Sequence, residues 1–431
     1  MSDEQSAPVD SEASDDVIVV GGGLGGYAAA LAAAREGANA SVRLLVTDDD
    51  RFDRESGLLD VLGATPDSDG PVADPVAAIS ALAEDHPYRT LGVERVESAL
   101  QRFDEAAGER YVGGDSERNA LVPTAVGRLQ PAARYPASMA NGLVSEQQPV
   151  RLVGFDRIPD FDAALAADRL HDIVEYDVEY STIKAPDRVE KPPVTRKIAT
   201  ALDENQASDS GTTTRESLAD RLRSVLDIEP RVGVPAVLGL SEAAAVRETL
   251  ESQLQARIFE VPLGPPSIPG QRLESQLSAA LTEAGVEIER DVSVADVTVS
   301  DGAVEKLTVD RPDAGEVTRS GSAFVLATGD VAAGGLAATR SGMREPLFDC
   351  RVSVPADAGE WVDQQFLGDH GAVRAGVAVD DELRAMQDSG KSFENLYAAG
   401  RVIAGPNVVA EKSAAGVALT TGDAAGTFAV E

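Results

Sequence analysis

Asp16-Val17-Ile18-Val19-Val20-Gly21-Gly22-Gly23-Leu24-Gly25-Gly26-Tyr27 is the stretch that decides the fold. Four β-branched apolar residues stand in a row at 17–20, without the polar alternation of a half-exposed strand. They predict a strand covered on both faces. Glycines follow at once, as Gly21-x-Gly23-x-x-Gly26. Residues 27–38 are Ala-rich and helix-forming, with an expected end near Gly37. Residues 42–46 read as a second buried strand. Glycines at this spacing carry meaning only between a strand and a helix, and that is where they lie. Gly21 permits the tight turn, Gly23 lets a pyrophosphate approach the backbone, and Gly26 lets the helix close on the strand. The first amides of the helix, Leu24 among them, point at the same place and carry the positive end of the helix dipole.

Working outward, an acidic residue after the second strand would hold an adenosine ribose. By spacing that position is Thr47, with Asp48 one step later. A threonine is a poor bidentate partner, so the expected cofactor is FMN, whose single phosphate needs only the glycine turn, with FAD as the alternative. Val325-Leu326-Ala327-Thr328-Gly329 is a further buried strand running into a glycine turn. Asn395-Leu396-Tyr397-Ala398-Ala399-Gly400 is another, and Gly416-Val417-Ala418-Leu419 opens a helix of small residues. Small residues at strand ends let a cofactor lie against backbone. Thr328, Gly329, Gly400, Gly416 and Val417 are therefore expected contacts, and Ser56 and Gly57 are expected to line the pocket. The fold class is α/β, a Rossmann-like FAD/NAD(P)-binding fold of glutathione-reductase type with an inserted α+β cap domain.

The expected division has an acidic, disordered tail at 1–15 and a first nucleotide-binding part at 16–100. An inserted cap or substrate domain follows at 101–260. The second nucleotide-binding part is 261–431, with a small return to the cap near 335–390. Strands are expected at 151–154, 232–240, 286–288, 292–299, 304–309 and 323–327. A hairpin turn is expected at Asp301-Gly302. A rigid Pro265-Pro266-Ser267-Ile268-Pro269-Gly270 turn leads into a helix at 273–284.

Composition excludes several functions. Asp and Glu total 73 against 38 Lys and Arg, a formal charge of −35. Nucleic-acid binding needs clustered cations, so it is not expected. Only six residues are Lys and 32 are Arg; an acidic, lysine-poor surface reads as adaptation to high salt, which screens self-repulsion. Cys350 is the one cysteine, too few for an iron–sulfur cluster or a zinc site, so redox chemistry falls to an organic cofactor. No apolar run is long enough to span a bilayer, and no basic segment followed by an apolar run suggests a Sec-type signal.

The order Gly-x-Gly-x-x-Gly, Ala-Thr-Gly, Asn-Leu-Tyr-Ala-Ala-Gly resembles the flavoproteins related to fumarate reductase. More closely, the chain resembles the B-subunit family of anaerobic glycerol-3-phosphate dehydrogenase over nearly all of 15–431. The resemblance is carried by 21–26, Ser56-Gly57-Leu58-Leu59-Asp60, His86-Pro87-Tyr88, Pro265-Pro266-Ser267, Gly334-Gly335-Leu336, Gly342-Met343-Arg344-Glu345-Pro346 and Glu394-Asn395-Leu396. It implies a three-part complex. One partner carries FAD, this flavin subunit is assigned FMN, and a second partner holds iron–sulfur clusters and anchors the assembly at the membrane. It also implies a cytoplasmic, peripheral location on the inner face of the membrane through those partners. The implied reaction is oxidation of sn-glycerol 3-phosphate to dihydroxyacetone phosphate, with electrons passed to quinone. More glycines are expected where Lys412-Ser413-Ala414-Ala415 stands. Two other readings compete: a stand-alone fumarate-reductase-type oxidoreductase, and a cofactor-free accessory subunit.

Oxidising a secondary alcohol needs a base and, for this substrate, cations for the phosphate. His370 is the candidate base, in the Gly368-Asp369-His370-Gly371 loop, while His86 reads as a turn residue and His171 as surface. Arg344 is the candidate anion-binding cation, or else pairs with Glu345. Lys412 is a cation for reduced flavin, or else a solvated charge.

Overall fold

The computed structural model describes residues 14–47, 52–114, 118–186, 194–312, 315–340, 342–365, 368 and 370–431. Contacts divide the chain into two compact units. One comprises 1–50, 280–406 and 418–431; the other comprises 51–279 and 407–417.

The first unit is built on an eight-stranded sheet. Its centre is β1 (Ser14–Val20), flanked by β2 (Val42–Val46) and by the long strand Gly315–Leu326, both parallel to it. The helix α1 (Leu24–Glu36) crosses between β1 and β2 and is capped by Gly37. Beyond β2 lies Glu287–Arg290. On the other side the hairpin Ser293–Ser300 and Ala303–Arg311 pairs antiparallel with the lower half of the long strand, and Ser392–Ala398 pairs parallel with its upper end. The hairpin turn Asp301-Gly302 has φ of 52° and 88°, the two positive values of a type I′ turn. Val17, Ile18 and Val19 are fully buried, as the unalternated run requires. The long strand exceeds the expected 323–327 because its first half is solvent-facing and mixed, with no buried run to betray it.

The tail expectation changes at its inner end. Residues 1–13 lie outside the described residues, but Ser14 and Asp15 already pair with Ser320 and Gly321. Asp15 is buried because the Arg43 guanidinium donates to it at 2.7 Å. Arg43 also reaches Glu289, which accepts from Arg319 at 2.7 Å, so these four strands share one buried ion network. Burial pulls the Arg43 pKa down, but its carboxylate partners raise it further.

The second unit carries a four-stranded, all-parallel sheet in the order Arg257–Val261, Arg231–Pro235, Val150–Phe155, Val178–Ile183. The helices Ala163–His171, Thr214–Arg223 and Ala243–Leu254 lie between these strands along the chain. The insert was expected to be α+β; its main sheet is instead all-parallel with helices between the strands, an α/β arrangement, and short antiparallel pairs lie beside it. Its boundaries differ from the expected 101–260. Residues 51–100 belong to it because their polar groups are satisfied there: Leu59 N–H donates to Arg134 O, and Asn119 Nδ2 to the carbonyls of Leu62 and Val72. Residues 335–390 stay with the large sheet, and the return segment is 407–417 instead. The helix Ile268–Glu283 starts five residues before the expected 273, since a proline is tolerated in a first turn.

Candidate functional site: a nucleotide cradle at the carboxyl edge of the sheet

Four parallel strands of the first unit end at one edge, and the expected contacts Gly21, Thr47, Thr328 and Gly400 follow their carboxyl ends. Between β1 and Gly315–Leu326 the chain's path reverses direction across the sheet, the position where α/β sheets bind ligands. Gly21 has φ +124°, and its N–H donates to Leu45 O at 3.0 Å. A Cβ there would sit 2.2 Å from Ala327 O, and one at Gly26 would sit 1.9 Å from Gly21 O. Both positions admit glycine alone. Gly23 is different: it forms the N-cap of α1, no side chain caps it, and a Cβ would meet nothing within 4 Å. The first-turn amides, that of the buried Leu24 included, lack helical partners by geometry and face this open side.

The other walls are equally close. Ala327 N–H donates to Val20 O at 2.8 Å and Ala399 N–H to Leu326 O at 2.9 Å. Gly400, at φ +76°, donates its N–H to Thr421 Oγ1 at 2.7 Å. A Cβ on Gly25 would lie 3.3 Å from Gly400 Cα. Gly329 turns the chain at φ +82°. The Thr328 hydroxyl oxygen is buried with no hydrogen-bond partner among the described residues. A buried hydroxyl left unpaired is costly and calls for a partner. An open glycine turn, a bare helix start and an orphaned hydroxyl together fit an anionic nucleotide such as a flavin's.

Thr47 directly follows β2 and is half-buried; Asp48 lies outside the described residues. Ser56, Gly57, Gly416 and Val417 belong to the second unit, where local packing accounts for them. Ser56 Oγ accepts from Leu58 N–H, and Gly57, at φ +80°, backs onto Pro269. A Cβ on Gly416 would come within 2.3 Å of Tyr88 Oη. Val417 N–H donates to Ser413 O at 2.8 Å. The expected shortage of glycine proves harmless: Ala414 and Ala415 begin the helix Ala414–Phe428, and the positive φ of +52° falls on Lys412, the C-cap of Val408–Glu411.

The reacting groups fare differently. His370 Nδ1 accepts from Asp363 N–H at 3.0 Å, in a loop before the short turn Gly371–Arg374; Asp369 lies outside the described residues. Arg344 ends a three-residue strand and is exposed. The Glu345 carboxylate is buried and accepts from the N–H groups of Leu347 and Phe348, both at 2.8 Å, so it serves a turn. His171 is exposed at a helix end. His86 is buried as N-cap of the helix Pro87–Leu91: its Nδ1 accepts from Tyr88 N–H, which assigns the proton to Nε2, 3.3 Å from Glu411 Oε2. Sequence reasoning missed the importance of Asp60. Burial raises its carboxyl to about 7; Glu55 adds to this, while Ala415 N–H and Lys412 oppose it. Its only sequence signal was its place in Ser56-Gly57-Leu58-Leu59-Asp60. Among the described residues no cluster of His, Cys, Asp and Glu could hold a metal, and no helix is long and apolar enough to cross a membrane. Burial also pushes the Cys350 thiol far up, which leaves it inert.

The chain belongs to the FAD binding domain family, whose model matches residues 16–417. A Halobacterium salinarum protein, named as the probable B subunit of anaerobic glycerol-3-phosphate dehydrogenase, is 44% identical over 421 residues, covering 96% of this chain and 98% of the relative. The chain is therefore a member of that B-subunit family. A Yersinia pestis protein, named as the B subunit of anaerobic glycerol-3-phosphate dehydrogenase, is 28% identical over 427 residues, 94% of this chain and 96% of the relative. Among solved structures, a flavocytochrome c3 fumarate reductase aligns over 97% of this chain and 78% of its own at 10% identity and a TM-score of 0.45. The expectation of a flavin agrees with the family; FMN as the first choice does not gain support from it, because the family is described by FAD.

Proposed function

We propose that the chain is the FAD-carrying B subunit of a glycerol-3-phosphate:quinone oxidoreductase. It takes part in oxidising sn-glycerol 3-phosphate to dihydroxyacetone phosphate and sends the electrons to quinone through partner proteins. The end-to-end identity of 44% to a relative so named carries this reading. The cradle supports it: Gly21, Gly23, Leu24 and Gly26 would hold the pyrophosphate, Thr328 would give its hydroxyl to the cofactor, and Gly329 and Gly400 would let the cofactor lie on backbone. Thr47 would meet the ribose as a single hydroxyl in place of a carboxylate. Ser56, Gly57, Gly416 and Val417 remain proposed flavin contacts on the strength of the sequence reading. A flavin supplies the acceptor for a hydride and can release electrons one at a time.

For the chain's own residues, His370 is proposed to take the hydroxyl proton and Arg344 to hold the phosphate. Two partners are proposed, one containing FAD and one containing iron–sulfur clusters and a membrane anchor. The second would place the complex on the inner face of the membrane. The test is co-expression with these partners, followed by glycerol 3-phosphate-dependent reduction of a quinone analogue in molar salt. Turnover that needs this chain is expected. Full turnover in a complex lacking it would overturn the reading.

A further inference from the structure

The cradle lacks the carboxylate that ordinarily holds an adenosine ribose, since Thr47 stands at that place after β2. The neighbouring strand brings a different group there. Glu287–Arg290 lies parallel to β2, with Ile288 beside Leu44 and Arg290 beside Val46, so Arg290 closes its strand at the carboxyl edge, level with the residue before Thr47. Side chains of a strand alternate between faces. Glu287 and Glu289 both pair with Arg43 on one face, which places Arg290 on the other, where α1 crosses. Its own bond agrees: Arg290 Nη2 donates to Tyr27 Oη at 3.0 Å. Tyr27 is 1% exposed in the first turn of α1, so its phenol is a fixed anchor. Asp291 turns the chain at φ +57° directly afterwards, and Val292 N–H donates to Val46 O at 3.2 Å. The bend and that bond fix the Arg290 backbone beside the cradle, while Arg290 itself is exposed.

We propose that Arg290, steadied by Tyr27, holds the adenosine half of FAD in place of the missing carboxylate and so decides between FAD and FMN. The proposal rests on the flavin reading of the cradle and adds the residue that selects which flavin enters. FMN ends at its single phosphate, whereas FAD continues past a pyrophosphate to a ribose and an adenine. A carboxylate recognises the ribose by accepting from its hydroxyls. An arginine reverses the polarity: a guanidinium only donates, ribose oxygens can accept, and the guanidinium plane suits the face of a purine. Thr47, with one hydroxyl, is compatible with either direction. The Tyr27 bond matters because a long side chain loses rotamer freedom when it meets a ligand; a guanidinium already held at one end loses less. Arg43 and Arg319 serve the ion network on the opposite face, whereas Arg290 has the position and the exposure to meet a ligand.

The experiment measures binding of FAD, FMN and ADP to the flavin-free full chain in molar potassium chloride, by fluorescence for the flavins and by calorimetry for ADP. The wild type is expected to prefer FAD to FMN. Arg290→Gln should weaken FAD and ADP about tenfold or more, the value of one hydrogen bond from a charged group, and leave FMN unchanged. Tyr27→Phe, which keeps the ring, should weaken FAD and ADP by a smaller factor and again spare FMN. An unchanged FAD affinity in Arg290→Gln, an equal loss for FAD and FMN, or a wild type that binds FMN as tightly as FAD overturns the proposal and leaves the flavin cradle standing. Should Arg290→Gln not fold, Tyr27→Phe decides by the same comparison. A wild type that takes up neither flavin nor ADP contradicts the cradle itself, and the proposal with it.

Discussion

Gly26 and Thr328 divide the work of the cradle between exclusion and attraction. Gly26→Ala would drive a methyl group into Gly21 O, 1.9 Å away. We expect loss of flavin and destabilisation by about 1–3 kcal/mol, read as flavin absorbance per chain and as the thermal midpoint in molar salt. Thr328→Val removes a hydroxyl that has no partner among the described residues. It should leave the flavin-free chain as stable or more so while weakening flavin affinity about tenfold, the value of one hydrogen bond. The carboxyls predict opposite pH trends. Asp60 has a raised folded value, so its ionisation lowers stability as pH rises from its unfolded value towards 7; Asp60→Asn should raise the thermal midpoint most at pH 8, less at pH 5 and little at pH 3. Glu411 has a lowered value, so its contribution is complete above the ordinary carboxylate range and is lost as pH falls through the folded value. Glu411→Gln should therefore cost stability at pH 7 and progressively less as the wild type is acidified below about 4.

Helix α1 and the last helix show how far small residues reach as elements. A Cβ on Gly422 would lie 2.3 Å from Gly25 O, and one on Gly426 would lie 2.1 Å from Ala29 O. The two helices thus approach backbone to backbone, which keeps Gly25 and Gly400 together at the cradle. Gly426→Val should destabilise by more than about 3 kcal/mol, or abolish folding, because neither backbone can retreat from a packed sheet; chemical denaturation reads this. β1, α1 and β2 were legible to within a few residues because burial on both faces leaves an unbroken apolar run and because the glycine turn punctuates it. The first half of Gly315–Leu326 was not legible, since a stretch paired with the hairpin strand Ala303–Arg311 and open to solvent carries no such pattern. The buried roles of His86 and Asp15 were illegible for another reason: each depends on a partner, Glu411 or Arg43, distant in sequence.

At the scale of the whole molecule, the unit boundaries escaped sequence reading because the loop-rich stretch from Leu59 to Val72 is anchored by hydrogen bonds to 119–134, not by periodicity of its own. The glycine turn was legible because its spacing is local, whereas a base and a phosphate-binding cation are assembled from afar and leave no such spacing. A net charge of −35 predicts that the thermal midpoint climbs as potassium chloride is raised from dilute buffer to molar concentration. An unchanged midpoint would contradict the halophilic reading of the surface. Amides at the start of α1, gripping a flavin's phosphates, are what the proposed activity depends on. The most direct measurement is to denature the purified full chain and identify and count what it releases. FAD in a ratio near one per chain, absent from Gly26→Ala, is the predicted result; a colourless wild-type chain that takes up no added FAD would contradict it.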